Sequence, residues 1–161
     1  MTRSLQLTAA VVLLTFTHLQ ARTLVFKGTP ISRVSLTAEQ ANREDLTSGQ
    51  QHEFALLITK KDGKYIWESR ESKELIKVDA GTFTHFISPA TGWVKIGHTS
   101  QFLEVLKMAK ASGVGEEGLK LLIGQNHLSD WMLEHKYFYF EVITQGMFVG
   151  IYYGFADELD L

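Results

Sequence analysis

Near the C-terminal end, the run from Tyr137 to Phe155 places Tyr137, Tyr139, Glu141 and Tyr152 on what strand alternation makes a single face. Three tyrosines around one carboxylate can do two kinds of chemistry. An aromatic platform with one acid suits the binding of sugars, amines or apolar ligands. A glutamate held under aromatic rings also has its pKa raised by desolvation and could serve as a general acid. A turn at Gln145-Gly146 sets Gly150 opposite Glu141 and Gly154 opposite Tyr137, leaving open ground beside the rings. The plainer alternative is a second core layer, in which the glycines admit a neighbouring strand or ring.

The other dense group of candidate ligands is His127, Asp130, Glu134 and His135. On one continuous helix, His127, Asp130 and Glu134 share a face, and nitrogen with carboxylate ligands could hold zinc or another divalent ion. A helix starting at Ser129 would leave His127 outside and break that geometry. A polar outer face opposite Leu128 and Trp131 explains the same residues, so no metal site and no cofactor are expected. His52-Glu53 lacks a second histidine at the metalloprotease spacing. Gly113-Val-Gly115-Glu-Glu-Gly118 fits the dinucleotide fingerprint only as text: it follows a helix and places two carboxylates where a pyrophosphate would sit. His85 is expected on an apolar strand face as a neutral core histidine, and His98 at a strand-to-helix junction. No nucleophile elbow, P-loop or calcium-loop pattern occurs.

Three hairpins would position these residues. Phe54 to Ser69 turns at Asp62-Gly63, which pairs Lys61 with Lys64, Lys60 with Tyr65 and Ile58 with Trp67. Its core face then carries Phe54, Leu56, Ile58, Tyr65 and Trp67. Phe83 to Ile96 turns over Pro89-Ala90-Thr91-Gly92, with Phe83, His85, Ile87, Val94 and Ile96 sharing a face. In the third hairpin Phe138, Phe140, Val142, Val149, Ile151 and Tyr153 line the face away from Glu141. Leu24 to Lys27 and Ile31 to Leu36 read as further strands. Thr37-Ala-Glu-Gln40 matches a capping box for a short helix ending near Leu46. Ser100 is placed as the N-cap of a helix over 101–112 closed by Gly113, and a second apolar helical stretch covers Leu119 to Ile123. Strands, helices, then strands, joined by tight turns, predict one α+β domain over 22–161: an antiparallel sheet of three hairpins plus N-terminal strands, packed against one or two helices.

The chain has 161 residues, 45% hydrophobic and 21% charged, which suits one folded domain and is too apolar for disorder. A net charge of −2 supplies no basic footprint for nucleic acid. With no cysteine, disulfides, thiolate metal sites and cysteine nucleophiles are out. Met1 to Ala21 reads as a cleavable secretory leader. Arg3 forms the n-region, the uncharged run Leu5 to Phe16 the h-region, and a polar segment ends at Ala21. That run is too short to span a bilayer as a helix, which takes about 20 apolar residues. Its removal leaves fifteen basic residues against eighteen acidic, or −3, and no stable membrane anchor. The sequence therefore predicts a periplasmic or secreted bacterial envelope protein, non-catalytic, that binds a small ligand or another envelope protein. The alternative is a small exported hydrolase using Glu141 or, in a metal-dependent version, the His127–His135 group.

Overall fold

The computed structural model describes residues 22–101, 104 and 134–161. Its strands are β1 (Thr23–Leu36), β2 (Ala41–Asp45), β3 (Leu56–Lys61), β4 (Lys64–Trp67), β5 (Lys73–Ala80), β6 (Phe83–Ser88), β7 (Gly92–His98), β8 (Tyr137–Gln145) and β9 (Phe148–Ala156). Helix α1 (Ser48–Glu53) stands between β2 and β3. From β3 to β9 each strand pairs antiparallel with the next.

The two segments expected as separate N-terminal strands are one strand, and that strand closes the sheet. Thr23 to Gly28 of β1 pair with β3, and Thr29 to Leu36 pair with β9. The result is a closed eight-stranded antiparallel barrel, with β2 added along Ser32 to Leu36 as a ninth strand. This corrects the α+β expectation: the sheet's inner face is covered by the sheet itself, not by helices. Pro30, which has no N–H to donate, sits at an irregularity in the β1–β9 ladder, where the loss of a ladder bond is tolerated.

The first hairpin has the expected register, Ile58 facing Trp67, Lys60 facing Tyr65 and Lys61 facing Lys64. Asp62 and Gly63 both take positive φ, as a type I′ turn requires. Leu56, Ile58 and Trp67 are fully buried. In the third hairpin the pairing is shifted by two residues from the expected one. Gln145 faces Phe148, and the turn is Gly146-Met147, with Gly146 at φ 59° in the first central position that a type II′ turn reserves for glycine. An even shift keeps every side chain on its face but changes its neighbours: Tyr152 lies opposite Glu141, Gly154 opposite Tyr139 and Gly150 opposite Ile143.

In the second hairpin the expected face is wrong. Ser88 pairs with Gly92, so the loop Pro89 to Thr91 has three residues, not four, and parity changes across it. Phe86, not His85, shares the inner face with Val94 and Ile96. Phe83, His85 and Ile87 point outward, His85 opposite Lys95. The capping box expected at Thr37 is instead a turn: the Thr37 hydroxyl accepts from Gln40 N at 3.3 Å, and the chain reverses into β2. A capping box does form ten residues on, where Thr47 and Gln50 cap α1 reciprocally. β5 was missed; only Leu75 of its eight residues is buried, which leaves no alternation to read. Residue 99 is already helical, so Ser100 is not an N-cap. The helices expected over 101–112 and 119–123 lie, apart from residues 101 and 104, outside the described residues.

The closure rests on Gly154. A Cβ there would lie 2.0 Å from the Thr29 carbonyl oxygen and 2.7 Å from Pro30 Cα, so β1 and β9 approach this closely only because the position has no side chain. At Gly150 the nearest atom is a ring carbon of Phe148 at 3.2 Å. Gly154→Ala should therefore lower unfolding free energy by about 1–3 kcal/mol in urea denaturation. Gly150→Ala should stay within about 1 kcal/mol of the unaltered chain, slight crowding being offset by lower unfolded-state entropy.

Candidate functional site

All four residues singled out from the sequence face the barrel interior. Tyr137, Tyr139, Glu141 and Tyr152 are buried, so they form the lining of a lumen rather than an exposed platform. The ground beside them is occupied: the Tyr139 ring lies against Gly28 and meets Phe26 edge-on at 5.6 Å. Tyr137 stands lower in the barrel beside His98, ring centres 4.7 Å apart.

Glu141 is 0% exposed, and both of its carboxylate oxygens are engaged. Trp67 Nε1 donates to Oε1 at 2.9 Å, and Arg70 Nη2 donates to Oε2 at 2.9 Å. Trp67 ends β4, and Arg70 lies in the β4–β5 loop, so both donors come from across the lumen. The Arg70 guanidinium also lies over the Tyr152 ring, 5.3 Å from its centre. Its side chain is 16% exposed. Arg70 is thus the point at which this buried cluster meets solvent.

Above the pair, the same end of the barrel carries a second layer. Phe54, directly after α1, packs on Tyr152 with ring centres 5.5 Å apart, and Arg33 lies over Phe54 at 5.4 Å. A hydrogen bond with Tyr152 raises the Arg33 pKa further, partly opposed by burial, and the Glu44 carboxylate adds to the rise. Glu44 accepts from Gln50 Nε2 at 2.8 Å and from Arg33, and these two bonds hold its own pKa low. The mouth is therefore a continuous polar and aromatic path from Gln50 on α1 to Trp67 in the lumen.

Burial pushes the Glu141 pKa up to about 7, with Arg70 and the Trp67 hydrogen bond pulling the other way. Burial also raises the Tyr139 pKa well above the usual phenol range, with the Glu141 charge adding to it. The Tyr139 hydroxyl stays protonated, and among the described residues it has no hydrogen-bond partner.

Sequence reasoning missed Arg70 and Arg33, and it placed Trp67 in the core without a role. One signal was available for Trp67: a buried indole N–H needs an acceptor, and Glu141 is the acid expected among tyrosines on one strand face. Arg70 sits in a connecting loop where no periodicity marks it. Of the histidine and carboxylate group, His127 and Asp130 lie outside the described residues. His135 Nδ1 lies 3.1 Å from Asp157 Oδ1, and its ring stacks on Phe155 at 5.5 Å. Among the described residues no three such side chains are grouped to hold a metal ion.

A hollow of about 740 Å³ opens at the opposite end of the barrel, lined by Phe26, Tyr137, Phe155 and Leu159 among others. The carboxylates among its described lining residues, Asp157, Glu158 and Asp160, are exposed, whereas Glu141 beneath Arg70 is buried. No family model matches the chain, and neither a curated protein nor a solved structure is found to be similar to it.

The raised Glu141 pKa makes stability pH-dependent with a definite sign. Between 4.5, its ordinary value, and about 7, the folded state holds a proton that the unfolded state has lost. Stability should therefore fall as pH rises through that window, by about 3 kcal/mol, and level off above it. Glu44 and Glu68, whose pKa values are lowered, act only below the ordinary carboxylate range. Urea titrations from pH 4.5 to 8 should show this slope in the unaltered chain and not in Glu141→Gln.

Proposed function

We propose that the chain is an exported, non-catalytic binding protein that receives a small ligand in the upper part of its lumen, at Glu141, Trp67, Tyr139 and Tyr152. The observation that carries this reading is the Glu141–Arg70–Trp67 cluster. A buried ion pair seldom stabilises a fold more than apolar residues of the same volume would. Here it stands among Phe26, Tyr65, Trp67, Phe86 and Tyr139, whose packing needs no charge pair. An eight-stranded barrel has an interior wide enough either to be filled by side chains or to hold one small ligand. One that places a charge pair beneath a partly exposed arginine has the features of a ligand mouth.

The hydrolase alternative draws on Glu141, but both of its oxygens accept bonds from protein donors and neither is presented to a substrate. Export rests on the leader-like segment Met1 to Ala21, and the envelope is the compartment that it implies.

Two measurements test the reading. Protein recovered from the envelope of its own host should begin at Arg22; a chain still carrying Met1 to Ala21 there would overturn the cleaved leader. Native mass spectrometry of that same material should show a bound small molecule, retained by the unaltered chain and lost from Glu141→Gln. Unliganded masses for both chains would count against lumen binding.

A further inference from the structure

The structure itself shows what kind of group the Glu141 site holds. Glu141, Trp67 and Tyr152 are fixed in β8, β4 and β9, whereas the cation that they hold belongs to a loop. The loop's backbone is bonded through Arg70 N to the Trp67 carbonyl at 3.1 Å and through Lys73 N to the Arg70 carbonyl at 3.3 Å. Between those bonds, Glu71 and Ser72 both take positive φ, at 54° and 53°, a conformation that side chains rarely adopt. The guanidinium is thus delivered to a preformed receptor by a strained segment, and it is the most exposed member of the Glu141–Arg70–Trp67 cluster.

Resting on the lumen-binding reading above, we propose that the ligand is a small organic cation, a guanidinium or protonated amine, that takes the place of the Arg70 guanidinium against Glu141 and Tyr152. Three observations converge on this class. The receptor is a carboxylate beside an aromatic face, the pair of surfaces that recognises a cation. The exchange conserves charge: one cation leaves the desolvated carboxylate as another arrives, whereas an anion would add a second negative charge beside Glu141. The Tyr139 hydroxyl, buried two residues from Glu141 on the same face and without a partner among the described residues, is an unused acceptor of that interior.

The test uses a full chain in which Trp67 is the sole tryptophan (Trp93→Phe, Trp131→Phe), so that fluorescence reports on the indole bonded to Glu141. It is titrated at pH 8 with agmatine and phenethylammonium as cations and with phenylacetate as an anion. Both cations should change Trp67 emission saturably, and Glu141→Gln should weaken that binding roughly tenfold to a hundredfold. In Arg70→Ala, ethylguanidinium should raise the melting temperature and restore the original emission, while ethylurea, its neutral near-isostere, should not.

Rescue of Arg70→Ala without any cation binding by the chain that keeps Arg70 would show a permanent plug and overturn the proposal. Equal rescue by ethylurea would overturn it too. A response to phenylacetate alone, lost in Arg70→Ala, would overturn the cation class while leaving lumen binding intact. Silence from every probe would overturn the cation class, lumen binding being decided by the native mass measurement above. Should Arg70→Ala fail to fold, the comparison of Glu141→Gln with the unaltered site decides alone.

Discussion

The structure depends on β1 being shared between two partners. Its first half pairs with β3 and its second half with β9, so one strand of fourteen residues turns a meander of hairpins into a closed barrel. Closure leaves the strands around it with neighbours on both sides, which removes the exposed edges that an open sheet must protect. It also creates a single interior, in which the middle of β8 is desolvated and Glu141 with it, whereas Lys77 and Asp79 on the inner face of β5 stay partly exposed. The close approach at Gly154 and the irregularity at Pro30 are where β1 accommodates this double role.

Desolvation explains the chemistry of the lumen. A carboxylate at the position of Glu141 must either take up a proton or find donors, and here it does part of each. Its two donors arrive from the far end of the first hairpin and the loop that follows it, more than seventy residues away in sequence. The cluster therefore ties β8 to β4 across the interior, and Arg70, a loop side chain, is its most exposed member. An acid with a pKa near 7, an arginine from a loop and a tyrosine ring beneath its guanidinium thus meet at one point of the interior.

Much of the local structure was legible because it is encoded locally. Asp62-Gly63 dictates a turn, and the turn dictates the register of the first hairpin down to Ile58 and Trp67. Alternation put Tyr137, Tyr139, Glu141 and Tyr152 on one face, and that held although the pairing slipped by two. The second hairpin differs because Phe83, Phe86 and Ile87 are apolar on both faces, so one loop residue too many decided which face was expected to be inner. The barrel's outer surface makes such ambiguity general: Ile76, Ile87, Trp93 and Val142 form an outward row across four strands. β5 left no trace because it buries one residue in eight.

By itself, then, the sequence determined the Asp62-Gly63 turn, the strand faces of the first and third hairpins, the absence of cysteine chemistry and the placing of Tyr137, Tyr139, Glu141 and Tyr152 on one face. These depend on neighbours two to ten positions apart, where backbone geometry acts directly. Only the tertiary structure decided that the sheet closes, that those residues are enclosed rather than presented, and that Arg70 and Trp67 are the partners of Glu141. Each of these is a pairing between segments far apart in the chain, and no local periodicity records which distant donor will reach a buried acid.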